Sequence, residues 1–326
     1  MSRFLSKSSL ASIVIAISFL ILLATRFDID WGNTFETLKD ADMVLYVLAF
    51  GSYYFGFYIR GLRWRIMLSN ADVFTDPRKP LPSSFRCARY VFIGWFANAI
   101  TWFRLGDAYR AYSITSDYGY SFPKTIGTVV SERILDVTMV FILLIMASVT
   151  LYKGSESNLF MLFIGMSTTL ALVAILSFIG MKKFGVRIAN LIPNALASPY
   201  LRFHSGTIDS LDRIPTLLIL SFISWLTEIG RLYFVVQSLE NTTIVFPLVV
   251  FVTLANAILT TIPLTPGGLG IVEPGIIGLL TLSIPASAAI SIALLDRSIS
   301  YVSIVVFGAL LFVVEKISYI KNTQEI

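Results

Sequence analysis

The chain has 326 residues, of which 56% are hydrophobic and only 14% charged. A soluble domain carries about 25% charged residues, so this composition excludes one and specifies an integral membrane protein. A single cysteine (Cys87) and a single histidine (His204) exclude an intramolecular disulfide, a multi-cysteine metal centre and the usual paired-histidine zinc motifs. No metal, cofactor or nucleic-acid partner is expected. The net charge of +5 suits anionic lipid headgroups, although a positive-inside bias alone also produces it.

Apolar runs near the length of a spanning helix recur, and no ten-residue alternating strands appear, so helices are the spanning elements. Arg3 and Lys7 precede the apolar run Leu10–Ala24, which reads as an uncleaved first span with its N-terminus inside. Residues 26–42 form an acidic outer loop. A second span over about 43–59 ends in Arg60, Arg63, Trp64 and Arg65. Arg60, Arg63 and Trp64 share one helical face at its cytoplasmic end, either as snorkelling anchors or as a clasp for a lipid phosphate.

Residues 60–89 are strongly basic and are therefore placed in the cytoplasm. The shorter apolar piece Tyr90–Phe103 follows, then Arg104-Leu-Gly-Asp107-Ala-Tyr-Arg110. Arg104 and Arg110 are candidates for holding an anionic headgroup, with Asp107 orienting one of them or meeting an amine. A long helix over 124–150 carries Glu132, Arg133 and Asp136. These ionisable groups within two turns must face a cavity or one another. A fifth apolar run covers 158–180, and 181–213 reads as a second basic cytoplasmic loop. A span over 214–239 holds Glu228 and Arg231, and a final helix, Pro285–Val314, holds Asp296 and Arg297. Lys316 and Lys321 place the C-terminus inside.

Between these last two spans lies Thr261 to Gly275, TIPLTPGGLGIVEPG. Its prolines (Pro263, Pro266, Pro274) and glycines (Gly267, Gly268, Gly270, Gly275) cannot form one continuous helix, and Glu273 sits among them. At membrane depth its unpaired backbone groups must line an enclosed or watery cavity, since each would cost several kcal/mol against lipid.

Charge also orders the topology. If Tyr90–Phe103 enters and returns on the same side, both basic segments and both termini fall inside. The broken segment then re-enters from the opposite side. Ala97-Asn98-Ala99-Ile100 recurs as Ala255-Asn256-Ala257-Ile258, and Glu132-Arg133 recurs as Asp296-Arg297. The expected fold is thus an all-α polytopic helical bundle with two inverted-topology repeats and re-entrant, broken helices. The repeats run over about 43–150 and 214–314, joined by 151–213 and flanked by 1–42 and a tail at 315–326.

The run Pro263-x-x-Pro266-Gly-Gly-Leu-Gly270-x-x-Glu273 resembles the signature of the lysylphosphatidylglycerol synthetase/flippase transmembrane family. Asn98, Arg104, Gly106, Asp107 and Arg110 match that family's earlier Asn…Pro-x-Arg-x-Gly-acid…Arg pattern. Glu132-Arg133-x-x-Asp136 matches its Glu-Arg-x-x-Asp, and Arg60, Arg63 and Trp64 match its Arg-x-x-Arg-Trp element. Trp102 departs from the proline usual before the arginine, so a differently shaped first turn is expected. Neither the aminoacyl-transferase nor the glycosyltransferase domain fused to some members is present, so the chain is not expected to make an aminoacyl lipid by itself.

The resemblance implies movement of a polar lipid between leaflets of a cell membrane, the lipid being an anionic phospholipid, aminoacylated or not, or a polyprenyl-phosphate-linked one. Arginines and carboxylates at Arg60, Arg104, Asp107, Arg110, Glu132, Arg133, Asp136, Glu228, Arg231, Glu273, Asp296 and Arg297 would line the path. The broken turn, Asn98 and Asn256 would complete it. Two other readings stay open: an enzyme acting on a lipid carrier, and an accessory subunit that partners a separate transferase.

Overall fold

The computed structural model describes Gly32 and residues 39–75, 80–151, 158–239, 243–261 and 265–312. The expected first span, most of the acidic loop, Pro263 and the C-terminal tail lie outside the described residues. Every regular element among the described residues is helical.

Helix α1 (Met43–Asn70) starts where the Asp42 carboxylate accepts from the Val44 N–H at 2.7 Å and the Leu45 N–H at 3.3 Å. It runs 28 residues, well past the expected end near residue 59. Arg60, Arg63 and Trp64 therefore sit inside the helix and are buried rather than anchored at an interface. The cause lies elsewhere in the chain: carboxylates on other helices compensate the guanidiniums, and the helix can continue through them.

Helices α2 (Ser84–Ile100) and α3 (Leu105–Tyr118) form a hairpin. Their contacts pair in antiparallel order, from Asn98 with Gly106 at the tip to Arg86 with Tyr118 at the base. The tip is a tight turn in which Phe103 and Arg104 both adopt positive φ (58° and 53°), a strained conformation for residues with side chains. Gly106 makes the close approach possible, because a Cβ there would overlap the Gly94 carbonyl oxygen.

Helix α4 (Phe122–Leu151) and helix α5 (Asn158–Ala189) follow. The expected basic loop 181–213 is instead helical for most of its length. Lys182, Lys183 and Arg187 belong to the end of α5, and Arg202 lies on α6 (Asn194–Asp209). Close packing explains this: α6 crosses α4 where Gly127 and Gly206 leave room for backbone contact, and Ser131 Oγ donates to the Thr207 carbonyl at 2.5 Å.

Helix α7 (Ile214–Gln237) packs antiparallel to α1. Asn70 reaches the carbonyls of Ser210 and Asp212 at one end, and the Asp42 N–H donates to the Ser238 carbonyl at the other. Helix α8 (Phe246–Thr261) leads to a 3₁₀ turn at Pro266–Gly268 and then to α9 (Val272–Leu280), a second hairpin. Gly267, Gly268 and Gly270 take φ values of 60°, 72° and 78°, which is why the turn needs glycine. The expected break is present but ends at Ile271. Glu273, Pro274 and Gly275 already belong to α9, where proline in the first turn costs no hydrogen bond.

The last helix starts with α10 (Ala286–Arg297), widens into a π turn over Ser298–Val302 directly after Asp296-Arg297, and continues to Phe312. Such π turns often mark functional positions.

The helices spanning Phe122–Leu151, Met161–Ala189, Ile214–Gln237 and Ala286–Phe312 are long and apolar enough to cross a bilayer. The chain is a multi-pass, all-α membrane protein. The base of the first hairpin lies at the end where α1 finishes and α4 begins, tied by Arg65 to the Pro82 carbonyl and Tyr120 to the Pro80 carbonyl. The base of the second lies at the other end, where Phe246 packs on Tyr233 near the end of α7. The two hairpins thus enter from opposite ends and meet tip to tip.

Candidate functional site

The tips are joined, directly and through the last helix, by polar contacts to backbone carbonyls, which a broken helix leaves without helical partners. Arg104 donates to the Thr260 carbonyl at 3.0 Å, Arg297 to the Gly267 carbonyl at 3.0 Å, and the Tyr301 hydroxyl to the Ala99 carbonyl at 3.3 Å. Asn98 Oδ1 accepts the Gly106 N–H at 2.8 Å and so holds the first tip closed. Asn98→Ala would leave that N–H unpaired, and a loss of about 1–3 kcal/mol is expected from the thermal unfolding of the purified variant.

Around the tips runs a buried ion network. On one side Arg63 (α1) bonds Glu132 at 3.1 Å, Asp136 at 2.7 Å and Ser221 at 2.7 Å. Arg110 bonds Glu132 at 2.8 Å, and Arg133 bonds Asp107 at 2.8 Å. On the other side Arg231 (α7) pairs with Asp296 through a short contact and with Glu228 at 3.4 Å, and Arg297 pairs with Glu273 at 2.7 Å. The second carboxylate oxygen of Glu273 accepts the Gly270 N–H at 2.7 Å.

The two sides correspond. In each, an arginine of the long helix (Arg63, Arg231) holds the acid of an acid-arginine pair (Glu132, Asp296). The arginine of that pair (Arg133, Arg297) then holds an acid beside a hairpin tip (Asp107, Glu273). Arg60 and Glu228 bridge α1 and α7 at 2.9 Å and couple the two sides. Buried charges of this kind are tolerated because each has a partner.

Between the tips lies a cavity of about 360 Å³. Five arginines face it (Arg60, Arg104, Arg133, Arg231, Arg297) against three carboxylates (Asp107, Asp136, Glu228), and with the groups paired directly behind them (Arg63, Arg110, Glu132, Glu273, Asp296) the site keeps an excess of one positive charge. Three of these guanidiniums stack on rings that also line it: Arg60 on Trp95 at 4.9 Å, Arg231 on Tyr53 at 5.2 Å and Arg297 on Tyr301 at 5.0 Å.

Of the residues singled out in the sequence, Asn98, Asn256 and Gly267 also line the cavity. Arg63, Trp64, Arg110, Glu132, Glu273 and Asp296 stand behind its wall, buried and engaged with neighbours. Trp64 donates to Thr128 and lies under Arg110. Pro266, Gly268 and Gly270 shape the second tip rather than line the cavity.

The residues missed by sequence reasoning are Tyr53, Trp95, Trp225 and Tyr301. A helical-spacing signal was present for three of them. Trp95 and Asn98 are i, i+3, Trp225 and Glu228 are i, i+3, and Arg297 and Tyr301 are i, i+4.

Residues 9–308 match the lysylphosphatidylglycerol synthase TM region. The chain belongs to that family. It is 34% identical over 232 residues to a UPF0104 membrane protein of Methanocaldococcus jannaschii, covering 70% of this chain and 98% of the relative. A UPF0104 membrane protein of Pyrococcus horikoshii is 25% identical over 320 residues, 89% of this chain and 92% of the relative. The match to the synthase TM region runs through both hairpins and both halves of the ion network, so the cavity lies within what the family shares in length.

Proposed function

We propose that this chain moves a polar lipid between membrane leaflets, the headgroup crossing the cavity between the hairpin tips while the tails stay in lipid. One observation carries the reading: two helical hairpins from opposite ends enclose a positive cavity of about 360 Å³. Pockets of roughly 300–1,000 Å³ hold small ligands, so the volume suits a headgroup. Guanidiniums stacked on aromatic rings present their N–H edges to phosphate oxygens in the planar geometry that phosphate prefers. Backbone left open at membrane depth is tolerated where it borders such a cavity.

Arg86, Lys182, Lys183 and Arg187 belong to the basic segments 60–89 and 181–213, and Asn70 ties the first of these to Ser210 and Asp212 at the end of the second. The positive-inside rule assigns that end to the cytoplasm of a cell membrane.

The test is reconstitution of the purified chain into liposomes with headgroup-labelled anionic lipids, with leaflet exposure followed by quenching. Wild type is expected to accelerate exchange. Arg60→Ala and Arg104→Ala are each expected to slow it about tenfold or more, the scale of a lost hydrogen bond to a charged group. Wild-type rates in both variants would remove the cavity from the path. If the wild-type chain exchanges no lipid, the transport reading fails and an accessory role beside a separate transferase takes its place.

A further inference from the structure

The transport reading leaves the headgroup unnamed, and the polar atoms of the cavity wall separate two classes. A cationic headgroup, such as an aminoacyl ester, needs an unspent carboxylate. Each of the three cavity carboxylates is already held by arginine. Asp107 is held by Arg133 at 2.8 Å, with Arg104 and Arg110 each at 3.7 Å. Asp136 is held by Arg63 at 2.7 Å and Arg133 at 3.5 Å, and Glu228 by Arg60 at 2.9 Å and Arg231 at 3.4 Å. An incoming ammonium would meet an excess of positive charge and would have to share a carboxylate with the arginines that hold it, or displace one and leave it buried without its partner.

What the wall leaves unspent is different in kind. Arg60 Nη1, Trp95 Nε1 and Trp225 Nε1 are buried donors with no hydrogen-bond partner among the described residues, and all three residues line the cavity. Ser167 Oγ and Thr265 Oγ1, which can donate or accept, are in the same position, as is the acceptor Asn256 Oδ1. Arg60, Ser167 and Asn256 are 4%, 2% and 9% exposed, so none is satisfied at the protein surface. A native structure seldom leaves so many buried polar atoms unpaired in one place unless ordered water or a ligand completes them, and a polar headgroup that displaces the water must supply the same bonds.

A phosphate completes the donors only, since its ester oxygens accept. The Asn256 amide and the two hydroxyls, each of which can donate and accept, suit a ligand that does both. Neutral hydroxyl groups meet all three demands without adding positive charge.

We infer that the headgroup is a phosphate ester bearing an uncharged polyhydroxyl group, such as a glycosyl, inositol or glycerol unit, and that aminoacylated headgroups are disfavoured. This rests on the transport reading above and narrows its substrate. The arginine face takes the phosphate. Trp225, Ser167 and Asn256, on α7, α5 and α8, take the hydroxyls.

The experiment is equilibrium binding to the purified full chain in detergent, with four probes: short-chain phosphatidylinositol, short-chain lysylphosphatidylglycerol, short-chain phosphatidic acid and inositol phosphate without tails. Phosphatidylinositol is expected to bind about tenfold or more tighter than lysylphosphatidylglycerol, and more tightly than phosphatidic acid. Trp225→Phe keeps the ring and removes the N–H, and Asn256→Leu removes the acceptor. Each is expected to weaken phosphatidylinositol roughly fivefold, one net hydrogen bond, and to weaken phosphatidic acid less. Melting temperatures near wild type identify folded variants, and Trp225→Phe alone decides if Asn256→Leu fails to fold.

Equal or tighter binding of lysylphosphatidylglycerol would overturn the polyhydroxyl assignment while leaving lipid transport intact. Equal losses for phosphatidylinositol and phosphatidic acid in Trp225→Phe would overturn it too. Tail-free inositol phosphate binding as tightly as the lipid would uphold the chemical class and overturn the lipid reading. Failure of every probe to bind, with no exchange in liposomes, would remove the transport reading and this inference together.

Discussion

Arg63→Ala is expected to destabilise the folded chain by about 3–5 kcal/mol, the cost of removing one partner from a buried ion pair. Arg63 is fully buried and donates to Glu132, Asp136 and Ser221, so its loss strands two carboxylates beside a hydroxyl. Arg110 and Arg133 remain bonded to those carboxylates and soften the loss without replacing the bonds. Thermal unfolding in detergent measures the change. Arg60→Ala gives the contrast, because Arg60 lines the cavity and its partner Glu228 keeps Arg231. It should cost less stability than Arg63→Ala and more transport. If the two variants melt together and transport alike, the division between a supporting layer and a lining layer is wrong.

Gly106→Ala is expected to prevent the first hairpin from closing, with a loss of at least about 3 kcal/mol, the upper end of the range for overpacking. The added methyl would overlap the Gly94 carbonyl oxygen and sit 2.7 Å from the Asn98 N atom, and neither is a side chain that can swing away. Relief requires α3 to move off α2, which carries Asp107 away from Arg133 and opens the tip against Thr260. Gly51→Ala on α1 is the control, since nothing lies within 4 Å of a Cβ there. It should be neutral or add roughly 0.5–1 kcal/mol, the usual gain of alanine over glycine inside a helix. Thermal unfolding and gel-filtration profiles of both variants separate the cases. A Gly106→Ala protein that melts and transports as wild type would show that the hairpin tolerates a wider spacing.

The family and the broken second hairpin were legible from local chemistry. Proline and glycine limit backbone conformation wherever they stand, so the interruption at Pro266–Gly270 needed no knowledge of neighbours. Its far boundary is not legible in the sequence, because Pro274 and Gly275 suit a first helical turn as well as a loop. The charge of the basic segment 181–213 predicts a loop. The segment is largely helix because α4 offers a small-residue surface to pack on, and charge carries no information about that. Acid and arginine clusters at Glu132-Arg133 and Asp296-Arg297 announced an enclosed polar site, since ionisable groups inside apolar helices require partners.

By itself the sequence determined that the chain lives in a membrane, that its spanning elements are helices, and that the ionisable residues inside its apolar helices, such as Glu132, Glu228 and Asp296, are enclosed. Each follows from composition, periodicity and the high cost of charge in an apolar medium. Only the tertiary structure decided how those residues divide. Arg63 and Arg60 stand one helical turn apart in the same helix, yet Arg63 bridges Glu132 and Asp136 from behind the wall, whereas Arg60 lines the cavity, pairs with Glu228 and stacks on Trp95. That difference depends on Glu132, Asp136 and Glu228, which distant helices deliver. Partner choice between elements far apart in the chain is set by packing, and no local pattern encodes it.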